Sequence, residues 1–322
     1  MSTNALTRYG PPAAWGAHTD AVLLTGATGF LGMELLAGYL ERTDRHVYAL
    51  VRGVNDRQAH ARLQNTLARL FDAGHPYEER VSAVRGDITR PGLGLGNRRR
   101  AALAERVSEI VHSVASVSSR TSCTPRAINV EGTSRVLELA AQCHTRGEGL
   151  RRLTHISTAY VAGQHRGCFS EDDLDAGQRF RNAYEQSKFE GEQLVASWRA
   201  QLPITVVRPS IVVGERHSGW TASFNVLYWP LRMFSRGAYL AVPARATAPV
   251  DVVPVDYVTD AILALSRAPE AVGATFTAAR LFRSPRGVCA GRRMGPPRAA
   301  APGCGGAAGT GAACPPPPPR TW

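Results

Sequence analysis

Lysine is nearly absent from this 322-residue sequence, and acidic residues are missing from its end. One lysine, Lys188, stands among 38 basic residues, so the other 37 are arginines. Positions 280–322 contain seven of those arginines and no aspartate or glutamate, so part of the formal net charge of +12 belongs to one terminal stretch. The short cluster Arg98–Arg100 lacks the interleaved aromatic residues of a nucleic-acid site. We expect a solvated loop there and no nucleic-acid partner.

Long apolar runs are also missing. No stretch of the sequence approaches the roughly 18 apolar residues of a membrane-spanning helix, which excludes a membrane span. The first residues lack the charged-then-apolar layout of a signal peptide, so we expect a cytoplasmic protein. The six cysteines form no CxxC pair, and we expect neither a disulfide framework nor a bound metal.

The sequence does contain a regular alternation of strand and helix signals. Short apolar runs alternate with amphipathic stretches over residues 21–279, whereas residues 1–20 form a polar lead-in. Strands and helices at this spacing predict an α/β fold, a doubly wound parallel sheet with helices on both faces. After Gly214 the pattern loosens, and we assign residues 215–279 as a small substrate-binding portion. The residues 280–322, rich in proline, glycine and arginine, have the composition of a disordered tail.

The strongest local signal is a glycine-rich turn between the first strand and the first helix, TGATGFLG at residues 25–32. Gly26 permits a tight turn, Gly29 allows the backbone to approach a pyrophosphate, and Gly32 allows the helix to pack closely on the strand. The helix N-terminus beyond the turn offers N–H groups and a positive dipole end to phosphates. The alternative is a βα turn without a ligand. The strand before the turn and the amphipathic helix after it favour a dinucleotide site.

The end of the second strand predicts the type of dinucleotide. An NAD site places an acidic residue there to bind the ribose 2′-hydroxyl, but this strand ends in Arg52 and the next acid is Asp56. An arginine can instead form paired hydrogen bonds with a 2′-phosphate, and Arg62 in the following helix is a second candidate. Although both could be ordinary surface arginines, we predict NADPH over NADH. Asp87, after the third strand, fits either a contact with the adenine amino group or a turn aspartate.

A tyrosine and the single lysine, Tyr184 and Lys188, are four residues apart and share one helix face. A phenol with a pKa of about 10 is a weak acid catalyst near pH 7 unless a fixed cation stabilises its phenolate. Lys188 would provide that cation while its other donors bind ribose hydroxyls, and Ser157-Thr158 would hold a carbonyl oxygen. The YxxxK pattern also recurs by chance on surface helices. In a sequence that uses arginine for almost every positive charge, the retained lysine favours a specific role.

Together these motifs resemble the extended short-chain dehydrogenase/reductase superfamily, which has a Rossmann-type fold. Six motifs occur in the expected order between about Ala21 and Ala268: TGATGFLG, GDI, NVEGT, STAYV, YEQSK and RPSIVVG. With HSVASV, they are most similar to the thioester-reductase and fatty-acyl-reductase (male-sterility) branch. The resemblance implies that Thr158 supplies an active-site hydroxyl, that Tyr184 is the acid and that Lys188 binds the ribose. The cofactor contacts that we predict are Gly26, Thr28, Gly29, Phe30, Leu31, Gly32, Arg52, Arg62, Asp87, Ile88, Ala115, Tyr184, Lys188 and Pro209.

The family that the sequence resembles reduces an acyl thioester, carried on coenzyme A or a carrier protein, to an aldehyde or alcohol. The implied reaction is hydride delivery from NADPH to the thioester carbonyl while Thr158 and Tyr184 stabilise the oxyanion. Collapse of the hemithioacetal would then expel the thiol. The aromatic stretch Trp220–Tyr239 fits either an acyl channel or plain core packing. Family members usually have a longer substrate-binding portion, so a truncated, inactive NADP-binding protein is one alternative.

A sugar-nucleotide epimerase is the other alternative, because it shares the fold, Tyr184 and Lys188. Dehydratases of the superfamily carry an Asp-Glu pair directly after the active-site threonine, whereas this sequence has Ala159-Tyr160 there. We therefore do not expect dehydration. Turnover of an acyl thioester or of a sugar nucleotide separates the two enzyme hypotheses.

Overall fold

The computed structural model describes residues 20–116, 124–221, 228–238 and 250–279. The predictions for residues 1–19 and 280–322, and for part of Trp220–Tyr239, lie outside these ranges. The strands within the ranges are β1 (Ala21–Thr25), β2 (His46–Val51), β3 (Val81–Arg85), β4 (Val107–His112), β5 (Arg152–Ile156), β6 (Ile204–Pro209), β7 (Ile211–Val213), β8 (Val252–Pro254) and β9 (Thr275–Ala278). The α-helices are α1 (Phe30–Arg42), α2 (Asp56–Leu70), α3 (Asn97–Arg106), α4 (Gly132–His144), α5 (Ala183–Ser197), α6 (Tyr228–Ser235) and α7 (Val255–Arg267).

Seven strands form one parallel sheet in the order β3-β2-β1-β4-β5-β6-β9. Every residue of β1, β2, β4, β5 and β6 is buried, as expected for the centre of a parallel sheet that helices cover on both faces. Strand order reverses between β1 and β4, which are neighbours in the sheet. This is the order of a Rossmann-type doubly wound sheet, and the predicted fold class is confirmed.

The two faces of the sheet bury separate hydrophobic clusters. Alternate residues of β1 point to opposite faces, so that Val22 and Leu24 join one cluster and Ala21 and Leu23 join the other. Helices α1, α2 and α7 supply the first cluster, and α3, α4 and α5 supply the second. The late elements α7 and β9 therefore complete the main fold. In addition, β7 and β8 pair in parallel as a separate two-stranded sheet.

Two sequence expectations are wrong in detail. Arg98–Arg100 lies in helix α3 and not in a loop. This helix buries only Leu103 and Ala104, so its polar sequence gives little periodic signal. Cys143 is free and buried, but Cys168 is disulfide-bonded, whereas the sequence suggests no disulfide framework. Separately, no helix in the described ranges has the length and hydropathy needed to cross a bilayer.

Candidate active site

The turn that joins β1 to α1 has close backbone approaches that require glycine. Gly26 has a φ of 81°, in the left-handed region, and the N–H of Gly29 donates to its carbonyl oxygen at 2.8 Å. A Cβ atom on Gly32 would lie 1.9 Å from that same oxygen, so no side chain fits there. No side chain caps the N-terminus of α1, and its first turn has no acidic residue. The helix end can therefore accept an anion.

A cavity of about 580 Å³ lies over this turn, at the carboxyl ends of β1, β2, β3 and β4. Doubly wound sheets bind ligands at this switch in strand order. Eight of the predicted cofactor contacts line the cavity: Gly26, Thr28, Gly29, Arg52, Arg62, Asp87, Ile88 and Ala115. The other predicted contacts, all within the described ranges, do not line it: Phe30, Leu31, Gly32, Tyr184, Lys188 and Pro209. The cavity also has walls that the sequence did not predict, among them Ser113, Val114 and Ser116.

The rim of the cavity beyond β2 is positively charged. Arg52 and Arg62 are both exposed, and Nη1 of Arg62 donates to the carbonyl oxygen of Arg52 at 3.2 Å. The nearby acid, Asp56, is neutralised by ion pairs with Arg99, at 2.7 Å, and Arg85, at 3.2 Å. The hydrogen bond from Arg99 is the main reason that the pKa of Asp56 is lowered. The two cavity arginines therefore have no competing carboxylate from Asp56.

The position of Asp87 fits both of the roles that the sequence left open. It lines the cavity, and its Oδ1 accepts hydrogen bonds from the N–H of Thr89 at 2.9 Å and from the Thr89 hydroxyl at 2.8 Å. The second arrangement is that of a turn aspartate. The adenine contact therefore stays a prediction.

Thr158 and Tyr184, which are distant in sequence, are brought together. Thr158 follows β5, and its hydroxyl oxygen accepts a hydrogen bond from the N–H of Tyr160 at 3.2 Å. The Thr158 side chain also lies near the Tyr184 hydroxyl at the start of α5. Burial raises the pKa of Tyr184, and the nearby Thr158 hydroxyl opposes that rise. The pair places two hydroxyl groups where they can share one acceptor.

Lys188 is only 2% exposed, and its Nζ donates to the carbonyl oxygen of Ile156 at 2.7 Å. Burial lowers its pKa to about 8, and the carboxylate of Glu192 opposes this effect. From the sequence we expect the ammonium to lower the pKa of Tyr184. Here burial raises that pKa, and the ammonium contacts the backbone of β5. An ammonium has three N–H donors, of which this contact uses one.

Asn129 connects the cavity to helix α5. Its Nδ2 donates to the carbonyl oxygen of Ser116 at 3.1 Å and to the Ser187 hydroxyl at 2.9 Å, while its Oδ1 accepts from the N–H of Ser116 at 2.9 Å. Ser116 lines the cavity, and Ser187 directly precedes Lys188. The cavity wall and the helix that carries Tyr184 and Lys188 are therefore joined by one buried side chain.

Sequence reasoning missed a buried ion pair behind these residues. Oε1 of Glu192 accepts hydrogen bonds from Nε of Arg208 at 2.9 Å and from its Nη2 at 2.6 Å. The Ser157 hydroxyl donates to the other carboxylate oxygen of Glu192 at 2.5 Å. Glu192 lies in α5 and Arg208 in β6. Opposite charges on different elements carry no local sequence signal that would pair them.

The fold and this site define an extended short-chain dehydrogenase/reductase, an NAD(P)-dependent oxidoreductase. The NAD-binding family described as "Male sterility protein" matches residues 24–262, and the chain belongs to this family.

Three known proteins show the extent of the similarity. The isonitrile lipopeptide synthase of Streptomyces coeruleorubidus is 34% identical over 263 residues, which are 80% of this chain and 17% of that protein. Fatty acyl-CoA reductase wat of Drosophila melanogaster is 26% identical over 278 residues, 76% of this chain and 53% of that protein. The crystal structure of the terminal R domain of the myxalamid PKS-NRPS pathway has a TM-score of 0.72 and 34% identity, covering 82% of this chain and 67% of that chain. The chain thus spans about half or less of these two curated relatives.

Proposed function

We propose that this protein reduces acyl thioesters with NADPH. The observation that supports this most directly is the proximity of the Thr158 and Tyr184 hydroxyls, the second of them on helix α5, which Asn129 ties to the dinucleotide-type cavity. Two hydroxyl donors beside a cofactor cavity suit a carbonyl that gains negative charge as it is reduced. The relatives named above are a fatty acyl-CoA reductase and a lipopeptide synthase, which favours a thioester carbonyl as the substrate.

The residues of the cavity fit a dinucleotide. Any side chain at position 32 would collide with the carbonyl oxygen of Gly26 and disturb the turn, and the uncapped N-terminus of α1 suits a pyrophosphate. Arg52 and Arg62 at the rim suit the 2′-phosphate that distinguishes NADPH from NADH. Lys188, with further N–H donors beyond its Ile156 contact, would bind the nicotinamide ribose. When bound, NADPH supplies the hydride.

Residues of the chain itself would stabilise the substrate oxygen and supply the proton. Thr158 and Tyr184 donate hydrogen bonds to the thioester oxygen, which stabilises the oxyanion as the carbonyl carbon becomes tetrahedral. Tyr184 gives its proton to that oxygen, and the product is a hemithioacetal. When the hemithioacetal collapses, the carbon–sulfur bond breaks, the thiol departs with a proton and an aldehyde remains. A second reduction of that aldehyde would give an alcohol.

The substrate thiol is coenzyme A or the pantetheine arm of a carrier protein. We propose residues 215–279 as the substrate-binding portion, in which α7 and β9 also complete the main fold. The relatives support both carriers, since one is named for an acyl-CoA substrate and the other is a peptide synthase.

A substrate panel tests the proposal. Purified protein is mixed with NADPH and, separately, with acyl-CoAs of increasing chain length or acyl carrier thioesters, and the nicotinamide absorbance is followed. Sugar nucleotides are incubated with NAD⁺ and their epimers are separated by chromatography, because epimerisation consumes no net cofactor. We expect NADPH oxidation with at least one thioester and slower oxidation of NADH. Turnover of a sugar nucleotide with no thioester activity would contradict the proposal and favour an epimerase. NADPH binding without any turnover would also contradict it and favour an inactive binding protein.

A further inference from the structure

The Glu192–Arg208 ion pair is one of the least exposed charge pairs in the described part of the chain. Glu192 is 1% exposed and Arg208 is 2% exposed. Removing two charges from water costs several kcal/mol per ion, which their attraction repays only with good geometry and further hydrogen bonds. A hydrophobic pair of similar volume would often stabilise the fold as well or better. The stability of the fold alone therefore does not explain why a buried ion pair is present here.

The pair connects the elements that carry the candidate catalytic groups. Glu192 is in α5, one turn after Lys188 and two turns after Tyr184. The Ser157 hydroxyl donates to Glu192, and Ser157 directly precedes Thr158. On the other side, Arg208 lies in β6 next to Pro209, whose carbonyl oxygen accepts a hydrogen bond from the Thr158 hydroxyl at 3.5 Å.

Arg208 also fixes the loop that follows Thr158. Its Nη1 donates to the carbonyl oxygen of Ser170 at 3.2 Å, and its Nη2 donates to that of Asp173 at 2.7 Å. The guanidinium lies 5.5 Å from the ring centroid of Phe169. One ion pair therefore contacts α5, the end of β5, β6 and this loop.

We propose that the Glu192–Arg208 ion pair is the positioning device of the candidate active site, holding Thr158 against Tyr184 and keeping Lys188 in place and charged. Glu192 and Arg208 are positioning residues, because they act through Thr158 and Lys188. The proposal rests on the function proposed above. Its consequence is that the pair matters for turnover more than for folding.

Among the groups that surround Lys188, Glu192 is the one that stabilises the protonated ammonium. Burial lowers the pKa of Lys188 to about 8 and Glu192 raises it. From β4 and β5, His112 and His155 face the ammonium; burial lowers the pKa of His112 to about 3 and that of His155 well below its ordinary value, so both are neutral near pH 7. Ile156 contributes only a backbone carbonyl, and Arg208 is paired with Glu192.

The single lysine allows a direct measurement. With ¹⁵N-labelled lysine, Lys188 gives the one side-chain ammonium signal of the chain, which can be titrated in the wild type and in Glu192→Gln. We expect the pKa of Lys188 to be lower in the variant, because the negative charge is lost while the burial stays. An unchanged pKa would overturn the proposed link between Glu192 and Lys188. This readout does not depend on turnover, so it separates failure of this inference from failure of the proposed function.

The pH dependence of kcat gives the matching functional test. Activity that needs the Lys188 ammonium is present below a pH of about 8 and is lost as the pH rises through that value. In Glu192→Gln the alkaline loss should move to lower pH. A variant that is merely less stable would lose activity at all pH values without moving the alkaline limb, and this result would count against the proposal.

A double variant separates positioning from folding. Glu192→Leu/Arg208→Met replaces the pair with apolar side chains, and we expect a melting temperature near that of the wild type with kcat reduced about 10-fold or more. The matched control is Arg126→Gln/Glu190→Gln, which removes the more exposed ion pair that Glu190 of the same helix forms with Arg126 and should leave kcat unchanged. Wild-type kcat in a folded Leu/Met variant would overturn the proposal. If that variant does not fold, Ser157→Ala removes only the hydrogen bond to Glu192; a reduced kcat supports the proposal and an unchanged kcat overturns it.

Discussion

The turn that we propose as the phosphate site is shaped by backbone, whereas the groups that we propose as the reacting end of the site are held by buried side chains. The β1–α1 turn depends on Gly26 and Gly32 and on an uncapped helix end, all of them local in sequence. Around Thr158 and Tyr184 the contacts join residues from β5, α5 and β6, and the Glu192–Arg208 pair lies behind them. A pyrophosphate can be bound by the backbone of one turn. A carbonyl must be aligned by side chains from several elements, and these elements must be held in fixed positions relative to one another.

This difference predicts how each end responds to substitution. At the reacting end, removal of one hydroxyl should reduce the chemical step and leave folding intact. At the phosphate end, an added methyl group should disturb the backbone itself. Removal of a rim charge should affect only the choice of cofactor.

The largest effect is expected for Tyr184→Phe. Loss of the proton donor should reduce kcat about 10²–10⁴-fold, while the loss of one hydroxyl should cost only about 1 kcal/mol of stability. The measurement is kcat with the best thioester, together with thermal unfolding. Tyr77→Phe is the control, because Tyr77 packs against Phe71 and, like Phe71, against the first hydrophobic cluster. A folded Tyr184→Phe enzyme with near wild-type kcat would remove Tyr184 from the mechanism.

Gly32→Ala should act through the backbone. Its Cβ would lie 1.9 Å from the carbonyl oxygen of Gly26, so the turn must shift. We expect a loss near the upper end of the ~1–3 kcal/mol typical of overpacking, and weaker NADPH binding, measured by chemical denaturation and by fluorescence titration. Gly96→Ala is the matched control, since a Cβ there has no atom within 4 Å. Equal stability and affinity in the two variants would show that the turn is not the phosphate site.

Arg52→Gln should have the smallest effect and change only cofactor preference. Loss of one charge-assisted hydrogen bond to the 2′-phosphate should raise KM for NADPH about 10-fold. KM for NADH should stay the same. Steady-state kinetics with both cofactors measure this, with exposed Arg57 in α2 changed to Gln as the control. A parallel rise in KM for NADH would place Arg52 outside the 2′-phosphate site.

The same contrast explains what could be predicted from the sequence. The parallel sheet and the glycine-rich turn are predicted by local sequence signals, namely apolar runs and glycines at fixed spacing. Helix α3 was missed because it buries only Leu103 and Ala104, which are too few apolar residues to give a helical periodicity in a polar segment. The Glu192–Arg208 pair and the Asn129 bridge depend on which elements become neighbours in space, and no local pattern encodes that. The direction of the Tyr184 pKa was also missed, because burial is a property of the packed fold.

The central claim is that a thioester is reduced and its thiol released, and one assay measures both. In a single reaction with NADPH and an acyl-CoA, NADPH oxidation is followed by absorbance and free coenzyme A by a thiol reagent. The proposed mechanism predicts thiol release in step with NADPH consumption, with one NADPH per thiol if the aldehyde is the product and two if the alcohol is. NADPH consumption without thiol release, or no consumption with any thioester by a protein that binds NADPH, would contradict it.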